Sequence, residues 1–226
     1  NVSAVTDSNG VASVSYNSQE AGDVTITAEC MSLQETYTIY DWYRYDDCST
    51  DKTSNYTKGS YTSLTFDTDH YVMSTSTDDI VDILDGVDNV QFEVLLKHNN
   101  NVGGMQIRQD PSNSNNGAVG LYNNASNTTY LALFPWSNIK SQNNVTNNSD
   151  YYRYILTING SSVTARIENS NGTSLFSGTT SKSLSAKHFC IFNVGNNTLN
   201  IKEIVVKPIP KVDKQEIPEI SDGSEL

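Results

Sequence analysis

The stretch YRYILTINGSSVTARIENSNG, residues 152–172, decides the fold. Tyr154, Leu156 and Ile158 recur at every second position before a turn, and Val163, Ala165 and Ile167 do so after it. A period of two sets these side chains on one face of a strand pair. Asn159-Gly160 between the runs is a hairpin signal, because tight hairpin turns need positive φ and these residues tolerate it. Asn171-Gly172 marks a second turn. Outward from this stretch the chain keeps the same pattern. Short runs such as VASVSY (11–16), DVTITAEC (23–30), NVQFEVLLKH (89–98) and HFCIFNV (188–194) are separated by Asn, Gly, Ser and Asp clusters. No helical period is sustained, although the spacing of DDIVDILDGVD (78–88) also fits a helical turn. The fold class is therefore all-β, an antiparallel sandwich of many short strands.

Composition agrees. Of 226 residues, 36% are hydrophobic and only 18% charged, and roughly a third are Asn, Ser or Thr. These polar residues compete with a helical backbone for hydrogen bonds and suit strands and turns. The net charge of −12 and the lack of Lys/Arg clusters argue against nucleic-acid binding and docking on anionic lipid. No apolar run reaches the roughly 18 residues of a membrane span, and no signal peptide is expected within the sequence. The three cysteines form no C-x-x-C; Cys190 sits in the apolar run HFCIFNV as a buried thiol, and Cys30 could pair with Cys48.

Composition divides the chain. Residues 43–60 hold many turn formers and little apolar periodicity and read as a linker. Residues 209–226 carry prolines and mixed charge and read as an extended or disordered tail. A domain of residues 61–208 lies between them. Within residues 1–42, Thr6-Asp7 with Gly10 and Ala12, then Gly22 with Thr25-Ile26-Thr27-Ala28, resemble the C-terminal part of a bacterial Ig-like domain of the invasin type. That resemblance implies a partial stalk module. Residues 61–208 resemble a concanavalin A-like or laminin G-like jelly roll, through a strand after a Gly103-Gly104 turn, the central hairpin and the closing strand LNIKEIVV. In style and module order the whole resembles adhesin-like surface proteins of methanogenic archaea, or the receptor-binding proteins of their viruses. Those resemblances imply an extracellular location on a cell or virion surface.

Catalytic signatures are missing. No E-x-D-x-x-E, G-x-S-x-G or H-E-x-x-H occurs, and Glu93 and Glu168 stand alone in their strands. A Cys190 nucleophile would sit where a thiolate is disfavoured. Strand parity offers a binding face instead. With Val90, Phe92, Val94, Leu96, Met105, Ile107, Val119, Leu121, Leu131 and Leu133 turned inward, Glu93, Gln106, Arg108, Tyr122 and Tyr130 point outward, with Trp136 at the rim. Aromatic platforms beside forked polar groups suit the C–H face and hydroxyls of a sugar. An ordinary solvated face, or one covered by a loop or subunit, would show the same pattern. Calcium is the one cofactor suggested, by Asp67, Asp69, the acids of 78–88 and Asp110, and solvated acidic loops look alike. Nine N-x-S/T sequons are present.

The resulting expectation is a non-catalytic module that recognises a cell-surface glycan or polymer. A homo-oligomer or a longer parent chain is compatible with it. The alternative is a structural spacer that binds only protein subunits, and a glycan-degrading enzyme comes third.

Overall fold

The computed structural model describes residues 44–87, 89–99, 102–109, 118–134, 137–143, 145, 150–184 and 186–209, together with the backbone of 23–30 and 33–40. That last pair forms an antiparallel hairpin, β1 (Asp23–Cys30) and β2 (Leu33–Tyr40), with Thr27 opposite Thr36. The remaining Ig-like expectation for 1–42 lies outside the described residues, as does the tail beyond residue 209.

Two antiparallel sheets make a sandwich. The first holds β3 (Arg44–Asp46), β5 (Thr62–Asp67), β6 (His70–Thr75), β8 (Val90–His98), β13 (Tyr152–Asn159), β14 (Ser162–Glu168), β15 (Ser174–Ser181) and β17 (Asn197–Pro208). Its order is β15-β14-β13-β8-β17-β6-β5, with β3 also paired to β17. The second holds β4 (Thr57–Lys58), β7 (Asp79–Asp85), β9 (Val102–Arg108), β10 (Val119–Asn123), β11 (Thr129–Leu133), β12 (Ser137–Gln142) and β16 (His188–Val194), in the order β12-β11-β10-β9-β16-β7-β4. Among the described residues there is no α-helix, hence none long and apolar enough to cross a membrane.

The inward parity set builds the core. Val90, Phe92, Val94 and Leu96 from one sheet are fully buried against Met105, Ile107, Val119, Leu121 and Leu131 from the other. Phe92 meets Phe189 edge to face across the gap, with ring centroids 5.6 Å apart. The central hairpin pairs Tyr154 with Ile167, Leu156 with Ala165 and Ile158 with Val163. Its loop is Gly160-Ser161, one residue beyond the expected turn, and Gly160 takes φ 59 as the first position of a two-residue hairpin loop requires.

Three sequence expectations change. The acidic stretch 78–88 contributes strand β7, not a helical turn, since Val81 and Ile83 alternate into the core. Gly103 and Gly104 lie inside β9, not in a turn. The segment 43–60 is no linker. β3 joins β17, β4 joins β7, and a 3-10 turn at Thr53–Asn55 lies between them. The reason is a buried anion: Asp46 accepts hydrogen bonds from the Tyr56 hydroxyl at 2.6 Å, the Tyr71 hydroxyl at 2.8 Å and the Cys48 N–H at 2.9 Å. Cys48 is a buried free thiol, so the Cys30–Cys48 pairing is not formed.

Candidate functional site

The face of the second sheet turned away from the core is built in cross-strand rows. In one row Phe192, Gly104, Tyr122 and Tyr130 are register partners. Tyr122 stacks on Tyr130 with centroids 5.2 Å apart and planes 21° from parallel, and Phe192 meets Tyr122 edge-on at 5.7 Å. Glycine makes this row fit, because a Cβ on Gly104 would stand 2.3 Å from the Leu121 carbonyl oxygen and 2.7 Å from the Tyr122 Cα. Gly120 likewise lies beneath the Phe134 ring, where a Cβ would come within 2.7 Å of it. These rings form a second apolar cluster with Ile80, Ala118, Ala132 and Cys190.

The next row is polar. Cys190 pairs in register with Asp82 on one side and Gln106 on the other, and His188 pairs with Arg108. The Arg108 Nε–H donates to Gln106 Oε1 at 2.7 Å, the Cys190 thiol approaches Asp82 Oδ1 at 3.8 Å, and His188 Nδ1 lies 3.5 Å from Asp82 Oδ2. Burial pushes the Asp82 carboxyl above its ordinary value despite the nearby His188. Burial, reinforced by Asp82, also pushes the Cys190 thiol well up, so it stays protonated and is no nucleophile.

This face is not the open, solvated surface that parity suggests. Gln106 is 2% exposed, Arg108 5% and Tyr122 7%. Alternation along a strand tells which side a residue takes and not what covers that side. Burial also raises the Tyr122 hydroxyl pKa, with Tyr130 adding to it.

The face opens to solvent at its β4–β7 edge. A cleft of about 470 Å³ there is lined by Lys58, Tyr61, Asp78, Asp79, Asp82 and Arg108. Arg108 reaches it from the buried row, whereas Tyr61 stands 62% exposed on its lip. Asp79 fixes the lip, since its Oδ2 accepts the Tyr61 N–H at 2.7 Å. Gly59 leaves room for that carboxylate, because a Cβ there would fall 1.7 Å from Asp79 Oδ1.

The structure thus brings Gln106, Arg108, Tyr122 and Tyr130 onto one face and separates Glu93 from them. β8 belongs to the other sheet. There Glu93 is held by Lys207, by Arg153 at 3.1 Å and by Gln91 at 2.6 Å. Burial alone would raise the Glu93 carboxyl, but Lys207, Gln91 and Arg153 hold it below the usual range. Trp136 lies outside the described residues. Lys58 and Tyr61 escape sequence reading because the first lies inside, and the second directly after, the segment whose composition resembles a linker. Among the described residues no group of three or more His, Cys, Asp and Glu side chains could hold a metal ion. In the cleft Lys58 and Arg108 stand beside Asp78, Asp79 and Asp82. Asp88 and Asp110 lie outside the described residues.

The sequence matches no protein-family model and no curated protein. Solved structures do match in fold. The carbohydrate-binding module CBM66 from Bacillus subtilis superposes with a TM-score of 0.54 at 10% identity, covering 67% of this chain and 94% of that one. A Bacillus licheniformis β-glucanase gives 0.54 at 9%, covering 74% and 98%. The fold is a jelly-roll β-sandwich. The exoplasmic/lumenal domain of VIP36 in its Ca2+/Man3GlcNAc-bound form gives 0.52 at 8%, covering 71% and 86%.

Proposed function

We propose that this chain is a non-catalytic, extracellular adhesion or receptor-binding module that recognises a cell-surface glycan in the cleft at the β4–β7 edge. The carrying observation is Tyr61, a large aromatic side chain exposed on the lip of a polar cleft whose wall holds Arg108. An exposed ring offers a stacking face for a pyranose, and a guanidinium offers a fork for hydroxyls or a sugar carboxylate. The carbohydrate-binding module and the Man3GlcNAc-bound lumenal domain that share the fold support this reading. The glucanase likeness keeps hydrolysis in view. However, Asp79 is engaged by the Tyr61 backbone and Asp82 lies beside His188, which argues against a freely paired acid and base.

A glycan array probed with the whole chain, with and without calcium, tests the proposal. Tyr61→Ala should weaken binding to the best glycan about tenfold, in the range of interface hot spots, without moving the melting temperature. Arg108→Lys should weaken it too, because an ammonium cannot fork. No glycan bound by the parent, or parental binding by both variants, would sink the cleft reading in favour of the spacer. Release of shortened glycan would favour the enzyme.

A further inference from the structure

The sequons are not equivalent once folded, and we infer that, among the described residues, Asn171 accepts an N-linked glycan on the folded chain whereas Asn124, Asn127 and Asn196 do not. This inference is independent of the cleft. Six of the sequons fall within the described residues, at Asn55, Asn124, Asn127, Asn159, Asn171 and Asn196. A glycosyl acceptor must present its amide and the hydroxyl two residues on, so the sequon has to sit in a surface loop.

Three fail on one count or another. Asn124 spends its side chain on its own turn: Oδ1 accepts the Ser126 and Thr128 N–H groups, each at 2.9 Å, and Nδ2 donates to the Tyr130 hydroxyl at 3.4 Å. Asn127 depends on Thr129, which is fully buried with its hydroxyl against Asn123. Asn196 depends on Thr198, which lies within β17 and accepts from Asn99 at 2.8 Å. Asn55 and Thr57 are exposed on either side of Tyr56, which is buried on Asp46. The Asn159 sequon, in the β13–β14 turn, is exposed as well.

Asn171 differs from Asn124, Asn127 and Asn196. Asn171, Gly172 and Thr173 are all exposed, in the turn between β14 and β15. That turn is held by Asn169, whose Oδ1 accepts the Asn171 and Thr173 N–H groups at 3.1 and 2.9 Å, while Gly172 takes φ 75. The conformation therefore does not depend on the acceptor side chain. The donor would be a lipid phosphate- or pyrophosphate-linked oligosaccharide. Asn171 Nδ2 bonds to the anomeric carbon, the bond from that carbon to the phosphate oxygen breaks, the lipid phosphate leaves with the electron pair, and the amide gives up one proton.

The test incubates the folded whole chain with a purified oligosaccharyltransferase and its lipid-linked donor, and maps glycopeptides by mass spectrometry. Synthetic peptides covering 166–176 and 122–132 control for sequence alone. Both peptides should accept glycan, whereas the folded chain should be occupied at Asn171 at least tenfold over Asn127 and Asn196, and Asn171→Gln should remove the glycan from the 166–176 segment. An unmodified Asn171 on the folded chain, or equal occupancy at Asn127 or Asn196, would overturn the inference. Glycan-array binding is a separate readout, so the two proposals fail separately.

Discussion

Tyr122 illustrates how a side chain that faces away from the main core still contributes to stability. Its ring is enclosed by Tyr130, Phe134 and Phe192. Outward parity alone would have Tyr122→Ala weaken binding and leave the melting temperature unchanged. With 7% exposure the expected outcome is instead a loss of about 3–5 kcal/mol, as for large-to-small aromatic changes in cores, measured by urea denaturation. A loss below about 1 kcal/mol would mean that the cluster adds little. Glu93 makes the corresponding case for charge. Its folded pKa lies below the ordinary glutamate value of about 4.3, so its ion pairs stabilise fully above that value. The contribution falls away as pH drops through the lower, folded pKa. Unfolding free energies of the parent should therefore fall more steeply below about pH 4.3 than those of Glu93→Gln. Parallel curves would show that the network is neutral.

At the scale of elements, sequence reading succeeded where period two speaks directly. The inward set on β8, β9, β10 and β11 and the hairpin β13–β14 were legible, because alternation assigns faces without knowledge of partners. Leu156 is fully buried in that hairpin, so Leu156→Ala should cost about 2–5 kcal/mol in chemical denaturation, and a cost under about half a kcal/mol would place the hairpin on the surface. Partner choice was not legible. β8 and β9 are consecutive, yet β8 pairs with β13 and β17 while β9 pairs with β10 and β16. Consecutive strands often neighbour one another, and here they fall in different sheets, which is why Glu93 parts from Gln106 and Arg108. The lip of the cleft was hidden for a different reason. Tyr61 follows a turn at Gly59 whose shape depends on Asp79, a residue 18 positions from Tyr61 along the chain.

At the scale of the molecule, the question is where the folding unit starts. Composition places the start at residue 61, because Asp, Ser, Thr and Lys dominate the preceding stretch. Folded, that stretch supplies a strand to each sheet and delivers Asp46 to the hydroxyls of Tyr56 and Tyr71. A buried carboxylate is costly unless its oxygens are satisfied, and here three donors and Lys52 at 3.4 Å satisfy them. Cutting at 61 would remove Asp46 and Tyr56, leave the fully buried Tyr71 hydroxyl without its carboxylate, and strip β17 and β7 of their β3 and β4 partners. We therefore expect a fragment of residues 44–209 to melt in one cooperative transition with a β-type circular dichroism spectrum. A fragment of 61–208 should be insoluble or melt at least several degrees lower, as the loss of even about 1 kcal/mol shifts a domain of this size by roughly 2–4 °C or more. Equal melting temperatures for the two fragments would show that Asp46 and its strand are appended to the sandwich and do not help to hold it.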